Sequence, residues 1–191
     1  MNETYKVQVQ DLVDDLKAVF THAGLGGEAG EYKLLTQSFL YKFLNDKFLY
    51  QAQVLDAGNT YENLLTMSEE DYDWLLEDIG TSTAWLKPDQ LIETLHRQQN
   101  EPTFYETFEN TLNQIAIDNN DIFSVHTDGD TAIRLFDERL ITDTVSDSSK
   151  RNEVAKAIIN LLARVKFDET IFSQGFDFFS TLFEYMIKDY N

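Results

Sequence analysis

The chain has no cysteine among its 191 residues. That excludes a disulfide framework and any thiolate metal site. Prolines are almost as scarce, since only Pro88 and Pro102 are present. Its three histidines, His22, His96 and His126, lie far apart with no His-Glu-x-x-His spacing, so a zinc centre is not expected. Each reads as a solvent or capping residue. Long hydrophobic runs are missing too: the uninterrupted apolar stretches are two or three residues, far below the ~18 needed to span a bilayer. The chain opens on a polar stretch rather than on the basic start and apolar run of a signal peptide, so a cytoplasmic location is expected. Basic residues are few. Fifteen against 34 acidic residues give a net charge of −19, a field that repels a phosphate backbone. No internal repeat or low-complexity linker divides the chain, and its length suits one domain with a sizeable core.

What is present is helical periodicity. Val9, Leu12, Val13, Leu16, Val19 and Phe20 recur at helical spacing, and the segment from Ala23 to Gly30 reads as a flexible loop closing that helix. A long helix is expected from about Glu31 to Leu55, apolar on most sides and therefore central. After Gly58-Asn59, Ser68 reads as an N-cap with Asp71 in a capping-box-like relation, and Trp74, Leu75 and Ile79 form the expected buried side. Pro88 suits the first turn of a helix over Asp89–Gln98, and Pro102 suits that of the next. In the latter Phe104, Phe108, Leu112 and Ile115 line one face until Asp118-Asn-Asn-Asp121. The one segment compatible with strand is Ile122 to Phe136, where two apolar runs flank Thr127-Asp-Gly-Asp130 as a hairpin turn. The fold class is mainly α: a multi-helix single domain with at most one short β-hairpin near 122–136.

Motifs that carry catalysis do not assemble. The Gly-rich segment Gly24–Gly30 sits between two helices with no strand before it, so it reads as a loop and not as a cofactor turn. Asp118, Asn120, Asp128 and Asp130 fail the spacing of a calcium loop, because Ile122 falls where an oxygen ligand should be. Two charged stretches stand out instead. Glu69, Glu70, Asp71, Asp73, Glu77 and Asp78 fall within ten residues with no base among them, either as a solvated helix face or as a surface that imitates DNA. The helix expected over Ser149–Val165 is the most basic stretch. Val154, Ile158, Leu161 and Val165 form its apolar face, with Lys150, Arg151, Lys156, Arg164 and the adjoining Lys166 around the remainder. Those five are candidate nucleic-acid-facing residues, though they do not form one stripe and serve equally as solubilising flanks with snorkelling stems.

The final stretch, Gly175-Phe-Asp-Phe-Phe-Ser-Thr-Leu-Phe-Glu-Tyr-Met-Ile-Lys-Asp-Tyr-Asn191, places Phe179, Leu182, Phe183, Met186 and Tyr190 along one helical face. It resembles the helix that precedes the catalytic domain in the modification subunit of type I restriction-modification DNA methyltransferases. There a Gly/Asp-rich start, an aromatic and a Glu-aromatic-Leu/Met-Ile/Leu core lead into the cofactor-binding segment, which is expected to follow Asn191. Glu31-Tyr-Lys-Leu-Leu-Thr-Gln-Ser-Phe-Leu-Tyr-Lys-Phe-Leu-Asn-Asp-Lys47 is similar to the long hydrophobic helix of that family's N-terminal domain. Ser146–Phe167 is a weaker match in the same order.

The resemblance implies that residues 1–191 are the N-terminal helical domain of such a subunit. Its full length would transfer a methyl group from S-adenosylmethionine to adenine N6. The family's Asp/Asn/Ser-Pro-Pro-aromatic loop, which holds the flipped base, is absent because the two prolines are never adjacent. The chain alone is therefore expected to be inactive, with no cofactor or metal of its own. Implied partners are its own catalytic domain, the specificity subunit, a second modification subunit, and DNA only within the assembled complex. Phe179, Phe183, Met186 and Tyr190 are the candidate interdomain interface. The −19 charge departs from what a DNA-gripping lobe would want, and favours mediation through protein contacts. The alternative from composition is a stand-alone acidic helical DNA mimic or a protein-association scaffold.

Overall fold

The chain turns back on itself first at Gly24, whose φ of 84° lies in the left-handed region. The Leu25 N–H reaches the Phe20 carbonyl at 2.8 Å and the Gly24 N–H reaches that of Thr21 at 3.0 Å. This is the Schellman closure of a helix C-terminus, with Leu25 tucked under the chain. The expected flexible loop is thus a hydrogen-bonded turn, completed by Glu31 accepting from the Gly27 N–H at 2.7 Å.

In the computed structural model, which describes residues 3–123 and 135–174, that turn joins α1 (Glu3–His22) to α2 (Ala29–Leu55). The further helices are α3 (Tyr61–Thr66), α4 (Glu69–Ile79), α5 (Ile92–Gln98), α6 (Phe104–Asp118), α7 (Asn120–Phe123), α8 (Leu140–Thr144), α9 (Arg151–Arg164) and α10 (Glu169–Gln174). Short 3-10 turns at Pro88–Gln90 and Ser148–Lys150 precede α5 and α9. The architecture is mainly α and forms one domain, with no strand among the described residues. None of the helices among these residues is long and apolar enough to cross a membrane.

α2 is the axis of the fold. At 27 residues it runs about 40 Å, and every residue from Tyr41 to Asp46 is buried. Burial on all sides explains why its apolar residues show no single stripe. α1, α4 and α8 pack on it, while α9 packs on α1, α5 and α6. The expected faces are filled as read: Leu12, Val13, Leu16 and Phe20 from α1, and Phe104, Phe108, Leu112 and Ile115 from α6, are buried. Tyr41 meets Phe108 edge-on with ring centroids 6.3 Å apart.

Four expectations need correction. The buried side of α4 is Tyr72, Leu75 and Ile79, whereas Trp74 is 61% exposed. Tyr72 takes the inward position because its hydroxyl donates to the buried Leu86 carbonyl at 2.5 Å. The helix expected over Asp89–Gln98 is broken, since Leu91 adopts an extended ψ of 144° and α5 begins only at Ile92. The break is held by Gln90, whose side chain accepts from the Lys87 N–H and donates to Asp118. Pro102 lies outside α6, and the cap comes from α9: Asn152 accepts from the Tyr105 N–H at 3.0 Å and donates to the Pro102 carbonyl at 2.6 Å. Finally, Ile122 and Phe123 belong to helix α7 and Leu135–Phe136 to a bend, so neither expected hairpin arm is strand where it is described. Residues 124–134, with the proposed turn, lie outside the described residues.

Other boundaries hold closely. Ser68 caps α4 as expected, its hydroxyl accepting from the Asp71 N–H at 3.2 Å and donating to the Asp71 carboxylate at 2.8 Å. α9 is slightly shorter than the expected Ser149–Val165, because Asp147 caps the preceding 3-10 turn by accepting from the Ser149 N–H at 3.0 Å.

Candidate functional site

Polar chemistry inside the protein is concentrated at the middle of α2. Lys42 and Asp46 are one helical turn apart, and Lys42 Nζ lies 2.9 Å from Asp46 Oδ2 with side chains only 4% and 7% exposed. Such a pair is costly to bury unless its remaining hydrogen-bonding capacity is met. Here it is met. Asn45 Nδ2 donates to Asp46 Oδ1 at 2.9 Å, and the Phe167 N–H donates to Asp46 Oδ2 at 2.8 Å. Asn45 Oδ1 in turn accepts from the Ile92 N–H, the first residue of α5, at 2.9 Å. The Lys42 ammonium also stands 5.7 Å from the centre of the Phe167 ring. Burial pushes the Lys42 amine below its ordinary range, Asp46 pulls it back, and Lys166 adds to the lowering.

A cavity of about 480 Å³ opens beside this cluster, with Tyr50, Gln53, Tyr61, Glu93 and Lys166 among its lining residues. The cluster's oxygens face backbone donors from α5 and from the segment after α9. They therefore work as a bracket between elements. A second buried carboxylate, Glu109 of α6, is likewise committed. It accepts from the N–H groups of Ile141 and Thr142 at 3.1 and 3.0 Å and from the Thr142 hydroxyl at 2.8 Å.

The basic residues of α9 do not converge. Lys150 lines a groove between α1 and α9 with His22 and Glu153. Arg151 is spent on structure: its guanidinium donates to the Val145 carbonyl at 2.9 Å and lies 5.8 Å from the Tyr105 ring centre. Lys156 is half-buried, and Arg164 and Lys166 are exposed at the far end of the helix, about 20 Å away by helical rise. The structure thus separates these five into two ends and a middle. By contrast, Glu69, Glu70, Asp71, Asp73, Glu77 and Asp78 are all exposed on α4. Helical spacing puts Glu70, Asp71, Glu77 and Asp78 around the exposed Trp74. Phe179, Phe183, Met186 and Tyr190 lie outside the described residues.

Among the described residues no group of three or more histidine, aspartate or glutamate side chains could hold a metal ion. His22 is exposed, with Nε2 4.0 Å from Glu153, and the His96 carbonyl accepts from Gln99. Sequence reasoning passed over Lys42, Asn45, Asp46 and Glu109. For the first three the sequence shows only a charged pair four residues apart, the pattern of an ordinary surface pair. Glu109 carries no comparable signal, because its partners are more than thirty positions away. No family model, curated protein or solved structure matches the chain.

Proposed function

We propose that this chain is the N-terminal helical lobe of a type I restriction-modification modification subunit, serving subunit assembly and closure around DNA. The observation that carries the reading is α2. The Glu31–Lys47 stretch, with its Tyr, paired aliphatics and Phe-Leu-Tyr-Lys-Phe-Leu run, resembles the family's long hydrophobic helix, and α1, α4, α8 and α9 pack against it. A rigid central helix suits a lobe that moves as a body against a catalytic domain. In this reading methyl transfer from S-adenosylmethionine to adenine N6 belongs to the full-length cytoplasmic subunit, and this lobe supplies no catalytic residue. Flipping a base costs a few kcal/mol, which gives a closing lobe a physical purpose. The dispersed bases of α9 and the charge of −19 favour, in this reading, DNA contact only within the assembled complex.

Reading the genomic frame beyond the Asn191 codon tests this directly. An aromatic-x-Pro segment followed by an Asn-Pro-Pro-aromatic loop is the expected result. A stop codon in that place overturns it. The acidic α4 face with its exposed Trp74 favours a second reading, a DNA mimic or association scaffold for a basic protein. Binding to a basic DNA-binding protein that weakens steeply with salt would support that alternative.

A further inference from the structure

Lys42, Asn45, Asp46, Leu49, Tyr50 and Gln53 of α2 all line the cavity of about 480 Å³. Their spacing of three, one, three, one and three residues is that of a single helical stripe, about 16 Å long by helical rise. Exposure grows along it: Lys42, Asn45 and Asp46 are buried, Leu49 and Tyr50 half-buried, and Gln53 exposed. The cavity is therefore a groove that runs from a closed, charged end to an open mouth. Tyr61 of α3, Leu91–Glu93 at the start of α5 and residues 163–169 complete its lining. Leu49, Leu91, Ile92, Ala163 and Val165 give it an apolar body. A volume of this size, lined by apolar and aromatic side chains with a few polar groups, is what small-molecule sites share.

The charges in the groove differ in what they can still hold. Asp46, Glu93, Asp168 and Glu169 line it, and each already accepts a hydrogen bond from this chain. Asp46 accepts from Asn45 and the Phe167 N–H, and Glu93 from Arg97 Nε. Asp168 accepts from the Thr170 N–H, and Glu169 from the Tyr50 hydroxyl. The ammonium groups of Lys42 and Lys166 share the same lining. Asp46 Oδ2, at 2.9 Å, takes one of the three N–H donors that Lys42 carries. Lys166 is exposed, and close enough that its charge lowers the Lys42 amine. What the groove offers a ligand is thus N–H donors that carry positive charge. The protein's own charge of −19 works against a polyanion, which narrows the class to a single negative charge.

We propose that this groove binds a small organic monocarboxylic acid, its carboxylate at Lys42 and Lys166 and its apolar or aromatic body along Leu49, Tyr50 and Tyr61 toward the mouth. Hydrogen bonds between ammonium and carboxylate are charge-assisted, and they would meet the remaining capacity of a buried cation. The site goes beyond the methyltransferase reading and does not depend on it, since the downstream frame decides only the latter.

Nuclear magnetic resonance titration of the isotope-labelled 191-residue chain with benzoate, phenylacetate and octanoate, each beside its primary amide, provides the test. At least one acid should give saturable shifts of the Ile92 and Phe167 amide signals, and should bind about tenfold more tightly than its amide. Lys166→Gln, a change at an exposed position, should weaken the acid severalfold and leave the amide unaffected. No saturable shift with any of the three acids at ~10 mM would overturn the site. So would equal binding of acid and amide, shifts centred away from the groove, or undiminished acid binding by Lys166→Gln. The comparison of acid with amide on the wild type decides without any variant.

Discussion

Glu109 in α6 accepts hydrogen bonds from both the N–H and the hydroxyl of Thr142, at 3.0 and 2.8 Å, across 33 positions of sequence. One buried carboxylate thereby serves the first turn of α8, whose own residues offer no cap. Glu109→Ala should destabilise the protein by about 3 kcal/mol, because one buried and one part-buried N–H group lose a charged acceptor. Glu109→Gln, which keeps one acceptor oxygen, should lose clearly less. Urea unfolding followed by circular dichroism measures both, and equal losses would refute the capping role.

Asn152 does for α6 what Glu109 does for α8. Asn152→Ala should cost about 1–2 kcal/mol, the usual range for a lost cap. Asn152→Asp separates the two bonds, because it keeps the acceptor for the Tyr105 N–H and loses the donor to Pro102. Its midpoint should fall between those of the wild type and the alanine variant. A midpoint below that of alanine would mean the donor is the half that matters.

Tyr72 carries a pH dependence with a definite sign. Burial, with Asp89 nearby as a lesser cause, holds its phenol well above the ordinary value of 10.0. Tyr41, whose hydroxyl donates to the Gln90 carbonyl at 2.6 Å, is raised for the same reasons in the same order. A raised phenol means that the folded state prefers the protonated form. The associated stability is present below about pH 10, where the unfolded phenol titrates, and is lost as pH climbs above it. Phenolate absorbance should therefore show Tyr41 and Tyr72 ionising only with alkaline unfolding. Tyr72→Phe and Tyr41→Phe should each reduce the slope of stability against pH above 10; ionisation of all tyrosines in the folded state would refute the assignment.

Trp74 should be nearly neutral to stability. Replacing this exposed indole with alanine should change unfolding free energy by no more than about 0.5 kcal/mol, whereas Leu75→Ala next to it should cost about 2–3 kcal/mol. Quenching by acrylamide gives a second check. Trp85, whose indole N–H donates to the Gly80 carbonyl at 2.6 Å, should be the less accessible of the two tryptophans. Equal quenching in the Trp74→Phe and Trp85→Phe variants would contradict the placement of α4.

How far the chain could be read from its residues depends on how local the signal is. The α1 and α6 faces were legible because a core stripe repeats every three or four residues, and burial follows that repeat. Ser68 was legible because both halves of its cap lie within three residues. Trp74 was misplaced because hydrophobicity cannot rank it against Tyr72, and only the Leu86 carbonyl, fourteen positions on, decides between them. The break at Leu91 was missed because Gln90 and Asp118, 28 positions apart, hold it together.

The candidate surfaces divide in the same way. Acidity on α4 was plain in composition, and its exposure follows from six carboxylates in one helix. The bases of α9 were also visible, but not that Arg151 turns inward to the Val145 carbonyl. Lys42 and Asp46 look in sequence like an ordinary surface pair one turn apart. By itself the sequence determined the helical class, the central helix and most of its apolar faces, since these depend on the period of the chain. Tertiary structure alone decided which polar groups are buried, because a buried donor or acceptor is tolerated only where a distant part of the chain supplies its partner.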